Sequence, residues 1–317
     1  MRHVTFRQLR VFASAATQLS FARAAAELHL TPPAVSIQIA QLERAAGAAL
    51  FERLGRRLYL TQAGAVLLRA STAILGQLRA VDEELAALRG IEGGLLNVGV
   101  ISAGDYFFPT LLAAFCARHR GVRVSLSMCN REELLRRLDH NLVDLAVVSQ
   151  RPEGREFQAT AFASHPIVVV AHPGHPLAAK RRVPLAALAR EGLIAREPGS
   201  ITRVVMDETL RRARLKPAIA IEAASNETVK QAVAAGFGVA FISAHAIGFE
   251  VRSGRLAVLD VAGLPARREW YAVHRRGKQL PAVARAFTEF LEKEGQAAIR
   301  RLVPRKLRRL WGAPGSA

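Results

Sequence analysis

The sequence predicts an all-α N-terminal unit with a small two-stranded wing and a linker helix, followed by an α/β domain of two lobes. Three observations carry this. Apolar residues recur at helical spacing through the first part of the chain. An apolar repeat with a period of seven then runs without proline from Leu67 to Leu88. Beyond Gly90, short apolar runs alternate with helical stretches, the pattern of layered strands and helices.

Thr5 is a good N-cap for a first helix with Leu9, Phe12, Ala13 and Ala16 on one face. Ser20 caps a second helix through Leu28, whose small inner face is Ala24, Ala25 and Leu28. Thr31 caps a third, with Pro32 and Pro33 in its first turn, where a missing N–H costs nothing. Val35, Ile39 and Leu42 form its inward stripe, and Ser36, Gln38 and Gln41 its polar, uncharged opposite face. Two helices about a tight break, the second with such a face, suit the major groove. Ser36 and Gln38 are candidate base readers, with Thr31 and Pro33 at the start of the same helix. An ordinary helical hairpin with a solvated face has the same pattern.

Leu50–Thr61 reads as a wing. Gly55 is at its turn, Arg53, Arg56 and Arg57 surround the turn as phosphate ligands, and Leu58 and Leu60 alternate with Tyr59. Residues 1–60 hold eight arginines and only three acids, Glu27, Glu43 and Glu52, so this unit has its own positive field. A solvated charged turn is the plainer alternative.

Thr61 caps the linker helix. Leu67, Ile74, Leu78, Val81, Leu85 and Leu88 form a seam on it that suits pairing with a second copy, or packing on its own domain. Gly90, Gly93 and Gly94 end it in a hinge. The runs LLNVGV, VRVSLSM, DLAVV, HPIVVVA, PAIAIE, FGVAFI and EWYAVH then read as strands of largely parallel sheets. Two such lobes would bind a small molecule between strand ends and helix N-termini. Ser102 precedes one helix, Ser200 and Thr202 begin another, and Ser225 and Asn226 a third; N–H groups and hydroxyls there suit an anion. Asn130 and Arg203 are further candidates, and each hydroxyl is also a plain cap. The expected domains are 1–61, DNA-binding; 62–90, linker and dimerisation; 91–296, effector-binding; and 297–317, a basic tail.

Composition narrows the class. Half of the 317 residues are hydrophobic, enough for a sizeable core, and the net charge of +19 with a pI near 11.4 favours a polyanionic partner. A genome rich in arginine codons gives the same bias. Cys116 and Cys129 form no metal motif and need not pair, which fits a reducing cytoplasm; no apolar run suits a signal or a membrane span. His172 and His175 flank Pro173 in a turn without Cys or acids beside them, so no metal is expected, and Gly236-Phe237-Gly238 lacks a phosphate-binding helix. No nucleophile elbow or catalytic acid pair marks an enzyme, and no cofactor is expected. The tail Ile299–Trp311 has six basic residues and no acid; it reads as a solvated tail or a DNA or subunit contact.

The pattern FRQLRVF, LSFARAAAELHLTPPAVSIQIAQLE and LFERLGRRLYLTQAG resembles LysR-type transcriptional regulators, and the resemblance covers almost the full chain. Tyr106-Phe107-Phe108-Pro109, Asn130-Arg131-Glu132-Glu133-Leu134, the stretch from Ser225 to Ile247 and VAGLPARREWYAVH resemble the CbbR type, regulators of the RuBisCO (Calvin cycle) operon. The resemblance implies a winged helix-turn-helix, a dimerising linker and an effector domain like periplasmic binding proteins, the chain returning to its first lobe near Trp270. It also implies a homodimer or homotetramer, promoter DNA, RNA polymerase and a metabolite effector such as a sugar phosphate, phosphoenolpyruvate or NADPH as partners, and activation of CO2-fixation genes. A regulator of another metabolic operon, an α/β enzyme with a basic appendage and a nucleoid-structuring DNA binder are the alternatives. Three departures stand out. Pro32 occupies a position where the family usually has Gln, and Ile201 replaces a common Gly in Gly199–Arg203. Ser102-Ala103-Gly104-Asp105 stands where the CbbR type commonly reads S-T-A-K, so a cation has become an anion.

Overall fold

The computed structural model describes residues 4–55, 57–88 and 93–303, without side-chain placement at 79–80 and 83–88. Arg56, Gly90 and the tail from Pro304 lie outside the described residues, as do the side chains of Leu85 and Leu88. The chain forms two compact units, one of residues 1–91 with 137–142 and one of the remainder.

The first unit begins with α1 (Phe6–Gln18), where Thr5 and Gln8 form a reciprocal capping box. Ser20 caps α2 (Phe21–Glu27), and Thr31 caps α3 (Pro32–Ala46), which ends at Gly47 in the left-handed conformation that glycine adopts without strain. Leu9, Phe12, Ala24, Val35, Ile39 and Leu42 meet in one core. β1 (Phe51–Leu54) and β2 (Arg57–Leu60) pair antiparallel. Two devices hold this wing to the helices. Phe51 packs edge-on against Phe12 and Phe21, at 5.6 and 5.3 Å between ring centroids. Glu43 Oε1 accepts the N–H groups of Leu50 and Phe51 at 2.8 and 3.3 Å. Thr61 caps α4 (Gln62–Leu88), accepting from Gly64 N at 3.0 Å. Leu67 is not part of an open seam. It is 7% exposed and belongs to the core beneath α1, because the first turns of α4 are needed to close that core. Ile74, Leu78 and Val81 remain exposed.

The second unit contains β3 (Gly93–Ile101), α5 (Phe108–Arg118), β4 (Gly121–Cys129), most of α6 (Arg131–Asp139), β5 (Leu145–Val148) and β6 (Phe157–Ala171). There follow α7 (Leu185–Leu188), β7 (Leu193–Arg196), α8 (Ile201–Arg212), β8 (Ile219–Ala223), α9 (Asn226–Ala234) and β9 (Ala240–Ser243). It closes with α10 (Gly248–Arg252), β10 (Ala257–Val258), β11 (Ala266–Arg275), α11 (Ala282–Phe290) and α12 (Gln296–Leu302). The main sheet has the order β10-β6-β11-β5-β3-β4, with β9 also on β6.

The sheets are less parallel than the alternation of strands and helices suggests. β3 runs parallel to β4 and β5, and β7 to β8, but β6 is antiparallel to β9, β10 and β11, and β11 to β5. The reason is the two-lobed plan. The chain leaves the first lobe along the 15-residue β6 and returns along its neighbour β11, and neighbouring outward and return strands must be antiparallel. The register shifts between Trp270 and Tyr271, where β11 leaves the second lobe. Trp270 is fully buried there, stacked on His165 at 4.4 Å and edge-on to Phe107 at 4.9 Å. Phe108, Phe115 and Phe287 pack together in the first lobe. The second lobe has two cores, one around Val169, Val205 and Phe241 and one around Val168, Val229 and Ile242. No helix among the described residues is long and apolar enough to cross a membrane.

Candidate functional site

Helix α3 presents a different outward face from the one its polar residues suggest. Val35, Ile39 and Leu42 are buried, so the residues nearly opposite them on the helix are Pro33, Ile37, Ala40 and Arg44, all exposed. Gln38 stands beside the buried stripe and is half-buried. Gln41 Oε1 accepts from Gln8 Nε2 at 3.1 Å. Thr31 Oγ1 accepts the N–H of Ala34 at 3.4 Å, as a cap does. Of the sequence candidates, Pro33, Ser36, Arg53 and Arg57 do come together. They line one groove of about 920 Å³ with Arg23 and Tyr59, and no residue lining it is acidic. Thr31 and Gln38 are not in that lining, and Arg56 lies outside the described residues. Arg23 is a residue that sequence reading missed; it is the basic residue of the first turn of α2.

Of the three acids in residues 1–60, Glu27 accepts from Ser14 and Gln18, Glu43 holds the base of the wing, and Glu52, exposed on β1, does not line the groove. The arginine field therefore stays uncancelled around the groove.

In the second unit a cavity of about 440 Å³ opens between the lobes. Ser102, Asn130, Ser200, Thr202 and Asn226 all line it. Ser102 opens a single 3₁₀ turn rather than a helix. Asn130 Oδ1 accepts from Glu133 N at 2.9 Å and so starts α6. Gly199, with φ of +86°, makes the left-handed turn that brings Ser200 and Thr202 to the start of α8, their hydroxyls 3.0 Å apart. Ser225 caps α9 without lining the cavity.

Arg203 does not line the cavity. Its guanidinium is held by Asp207, by Glu222 and by the carbonyl of Arg196, at 3.0, 2.8 and 3.0 Å. An arginine that sequence reading missed takes the central place. Arg196, at the end of β7, is 6% exposed. It donates through Nε and Nη2 to the Glu197 carboxylate at 2.7 and 2.8 Å, and through Nη1 to Asn226 Oδ1. The signal available was a short apolar run, LIAR, ending in a charge. That last donation orients the amide of Asn226, which is 5% exposed, and leaves its Nδ2 without a hydrogen-bond partner among the described residues. Arg131 Nε, on the other wall, is buried and equally without one.

Side-chain charge does not make the cavity basic. Asp105, Glu132 and Glu197 line it against Arg131 and Arg196. Asp105 is exposed, and desolvation holds its carboxyl above the usual range. Neither Arg203 nor Lys230 pairs with it. Arg203 is tied as described, and Lys230 is buried 2.7 Å from both Glu227 and Glu250, with its ammonium 4.7 Å from the ring centre of Tyr106. What favours an acceptor is the pair of unmet donors and the starts of α8 and α9. His172 and His175 each accept a backbone N–H within their turn, from Gly174 and Leu177.

Residues 6–65 match the bacterial regulatory helix-turn-helix domain of the lysR family, and residues 89–296 the LysR substrate binding domain. A RuBisCO operon transcriptional regulator of Allochromatium vinosum is 45% identical over 292 residues, spanning 92% of this chain and 97% of that one. The regulatory domain of CcmR from Synechocystis PCC6803, solved in complex with 2-PG, is 36% identical. It covers 63% of this chain and 96% of its own, with a TM-score of 0.60. A full-length OxyR variant from Pseudomonas aeruginosa shares the fold over 94% of this chain and 95% of its own, with a TM-score of 0.73 at 22% identity.

Proposed function

The chain belongs to the LysR family of transcriptional regulators, and from that premise we propose that it controls a RuBisCO operon and responds to a small phosphorylated or carboxylated anion held between its lobes. Membership makes it a DNA-binding, effector-responsive regulator rather than an enzyme, and regulators of this family act as oligomers. The carbon-fixation target follows the relative from Allochromatium vinosum, and we assign the protein the sign of an activator. Ser36 and Pro33 meet base edges, Arg53 and Arg57 meet phosphate, and Ile74, Leu78 and Val81 face a second copy in a homodimer or homotetramer. RNA polymerase is the partner through which activation would act.

One observation carries the effector reading. Asn226 lines the cavity, and its Nδ2 is buried and has no acceptor among the described residues, while Arg196 fixes the direction of the amide. A buried donor without an acceptor costs about 1–3 kcal/mol, and a ligand oxygen removes that cost. The neighbour's 2-PG supplies such oxygens and is the first probe to use.

The experiment has two arms. Source-genome fragments retained by the protein are sequenced, and the retained pool should be enriched in a promoter of carbon-fixation genes. Calorimetry with 2-PG should show one site per chain, which the Asn226→Asp variant binds about tenfold more weakly. Retention without sequence preference would remove the regulator's target, and equal binding by both proteins would remove the cavity assignment.

A further inference from the structure

We propose that Ile37 reads thymine methyl groups in the major groove, making it a specificity-determining residue of this regulator. The inference rests on the DNA-binding reading of α3 and extends it to the chemistry read there.

Ile37 is 56% exposed, although α3 has a complete buried stripe without it. A β-branched residue is a mediocre helix former, so exposure on a solvated helix face has neither packing nor propensity to recommend it. It stands at the centre of the outward face, with Pro33 and Ala40 one turn to either side. The amides that could have read bases on this helix are withdrawn, Gln38 towards the core and Gln41 onto Gln8. Ser36 is left as the hydroxyl beside an apolar surface.

The occupant of that surface follows from charge. The groove beside it is lined by Arg23, Arg53 and Arg57 and by no acid, so a polyanion is what approaches. A duplex offers one prominent apolar group on its major-groove edge, the C5 methyl of thymine. Ile37 is therefore matched to thymine, and cytosine, which lacks the methyl, is discriminated against at that position.

The test uses the full chain and an operator defined by footprinting a retained genomic fragment. Each thymine of a half-site is replaced by deoxyuridine, which removes the methyl and keeps every hydrogen-bonding group. One such replacement per half-site should weaken binding about fourfold, the worth of one buried methyl, and roughly fifteenfold when both half-sites are changed. The Ile37→Ala variant should bind the unmodified operator more weakly and show almost no further loss on the uridine operator. If every uridine replacement costs less than twofold while the operator is still preferred over scrambled DNA, the DNA reading stands and the role of Ile37 falls. Equal uridine penalties in Ile37→Ala and the parent would also overturn it, by giving the methyl to another residue. A change of oligomeric state in Ile37→Ala with an unaltered uridine penalty would assign the face to protein contact. No preference for operator over scrambled DNA would remove the premise itself.

Discussion

The outward face of α3 and the cavity between the lobes both leave groups without protein partners, but of opposite kinds. On α3 the unmet groups are exposed and apolar, Pro33, Ile37 and Ala40, beside a groove of arginines. In the cavity they are buried and polar, Asn226 Nδ2 and Arg131 Nε, and the basic groups are already paired or outnumbered by acids. A convex face that waits for a polyanion can leave its charge uncancelled in water at little cost. A concave site cannot, because a buried arginine without a counter-charge is far costlier, so Arg196 brings Glu197 with it. Specificity on the first surface then comes from shape and methyl groups, and in the second from a few oriented donors.

The largest test of the exposed side lies on α4. Ile74, Leu78 and Val81 are 38%, 37% and 51% exposed on one helix, a row of apolar groups that suits a second copy. Charges placed there would be buried without compensation in a paired helix. Ile74→Glu with Val81→Glu is expected to give monomers by light scattering. Affinity for a two-half-site operator should fall by about a hundredfold or more, as the second half-site is no longer engaged. A folded double variant that keeps the parental mass would show that these residues face solvent only.

The buried side has a pH signature. Burial lowers His245 to about 3, and His165 is also lowered, by burial first and then by the charges of His245 and Arg268. A lowered histidine stays neutral in the folded chain, while its unfolded counterpart protonates near 6.5. The unfolded state thus binds more protons between those values, and stability falls as pH drops below about 6.5. At pH 5 the loss from His245 is about 2 kcal/mol. Urea midpoints of the effector unit should fall accordingly from pH 7 to pH 5, and His245→Asn should flatten the trend. Identical parental midpoints at the two pH values would sink this account.

Legibility followed the same divide. The helices of the DNA-binding unit, their caps and the wing depend on neighbours in sequence, so Thr5, Ser20 and Thr31 announce their helices directly. The outward side of α3 is legible from Val35, Ile39 and Leu42, whereas polarity alone points to Ser36, Gln38 and Gln41, which flank that side, and not to Ile37 at its centre. Leu67 kept the period of the seam and yet went to the core, since a repeat does not say what lies against it. In the effector unit the apolar runs mark their strands, whereas the direction of β6 and β11 depends on a return through the whole second lobe. The Arg196–Asn226 pair joins residues 30 apart, and no local pattern indicates it.

Asn226→Asp sharpens the contrast within the cavity. Aspartate keeps an oxygen for Arg196, removes the donor without an acceptor and adds a negative charge. The apoprotein should melt no higher than the parent, because a buried carboxylate oxygen without a donor takes the place of the amide nitrogen, while 2-PG binds about tenfold more weakly, the loss of one charge-matched hydrogen bond. A variant that binds as before would mean that Asn226 Nδ2 does not face the ligand.

The smallest effect concerns Asp105, where the two kinds of surface meet in one residue. It is exposed like the α3 face, yet it lines the cavity, and it forms no ion pair among the described residues. Lys230 and Arg203, the cations that could have cancelled it, are bound to Glu227 and Glu250 and to Asp207 and Glu222. Its charge therefore acts on any anion within the Debye length, about 8 Å at physiological salt. Screening through solvent keeps that action modest. Asp105→Lys should tighten 2-PG about threefold at low salt, with the gain shrinking towards nothing as the Debye length falls to about 3 Å near 1 M. Calorimetry on both proteins across that range separates the cases. A gain that persists at high salt would mean that the new lysine makes a direct contact, and a tighter parent would mean that the aspartate accepts a donor from the ligand, making the anion only one end of it.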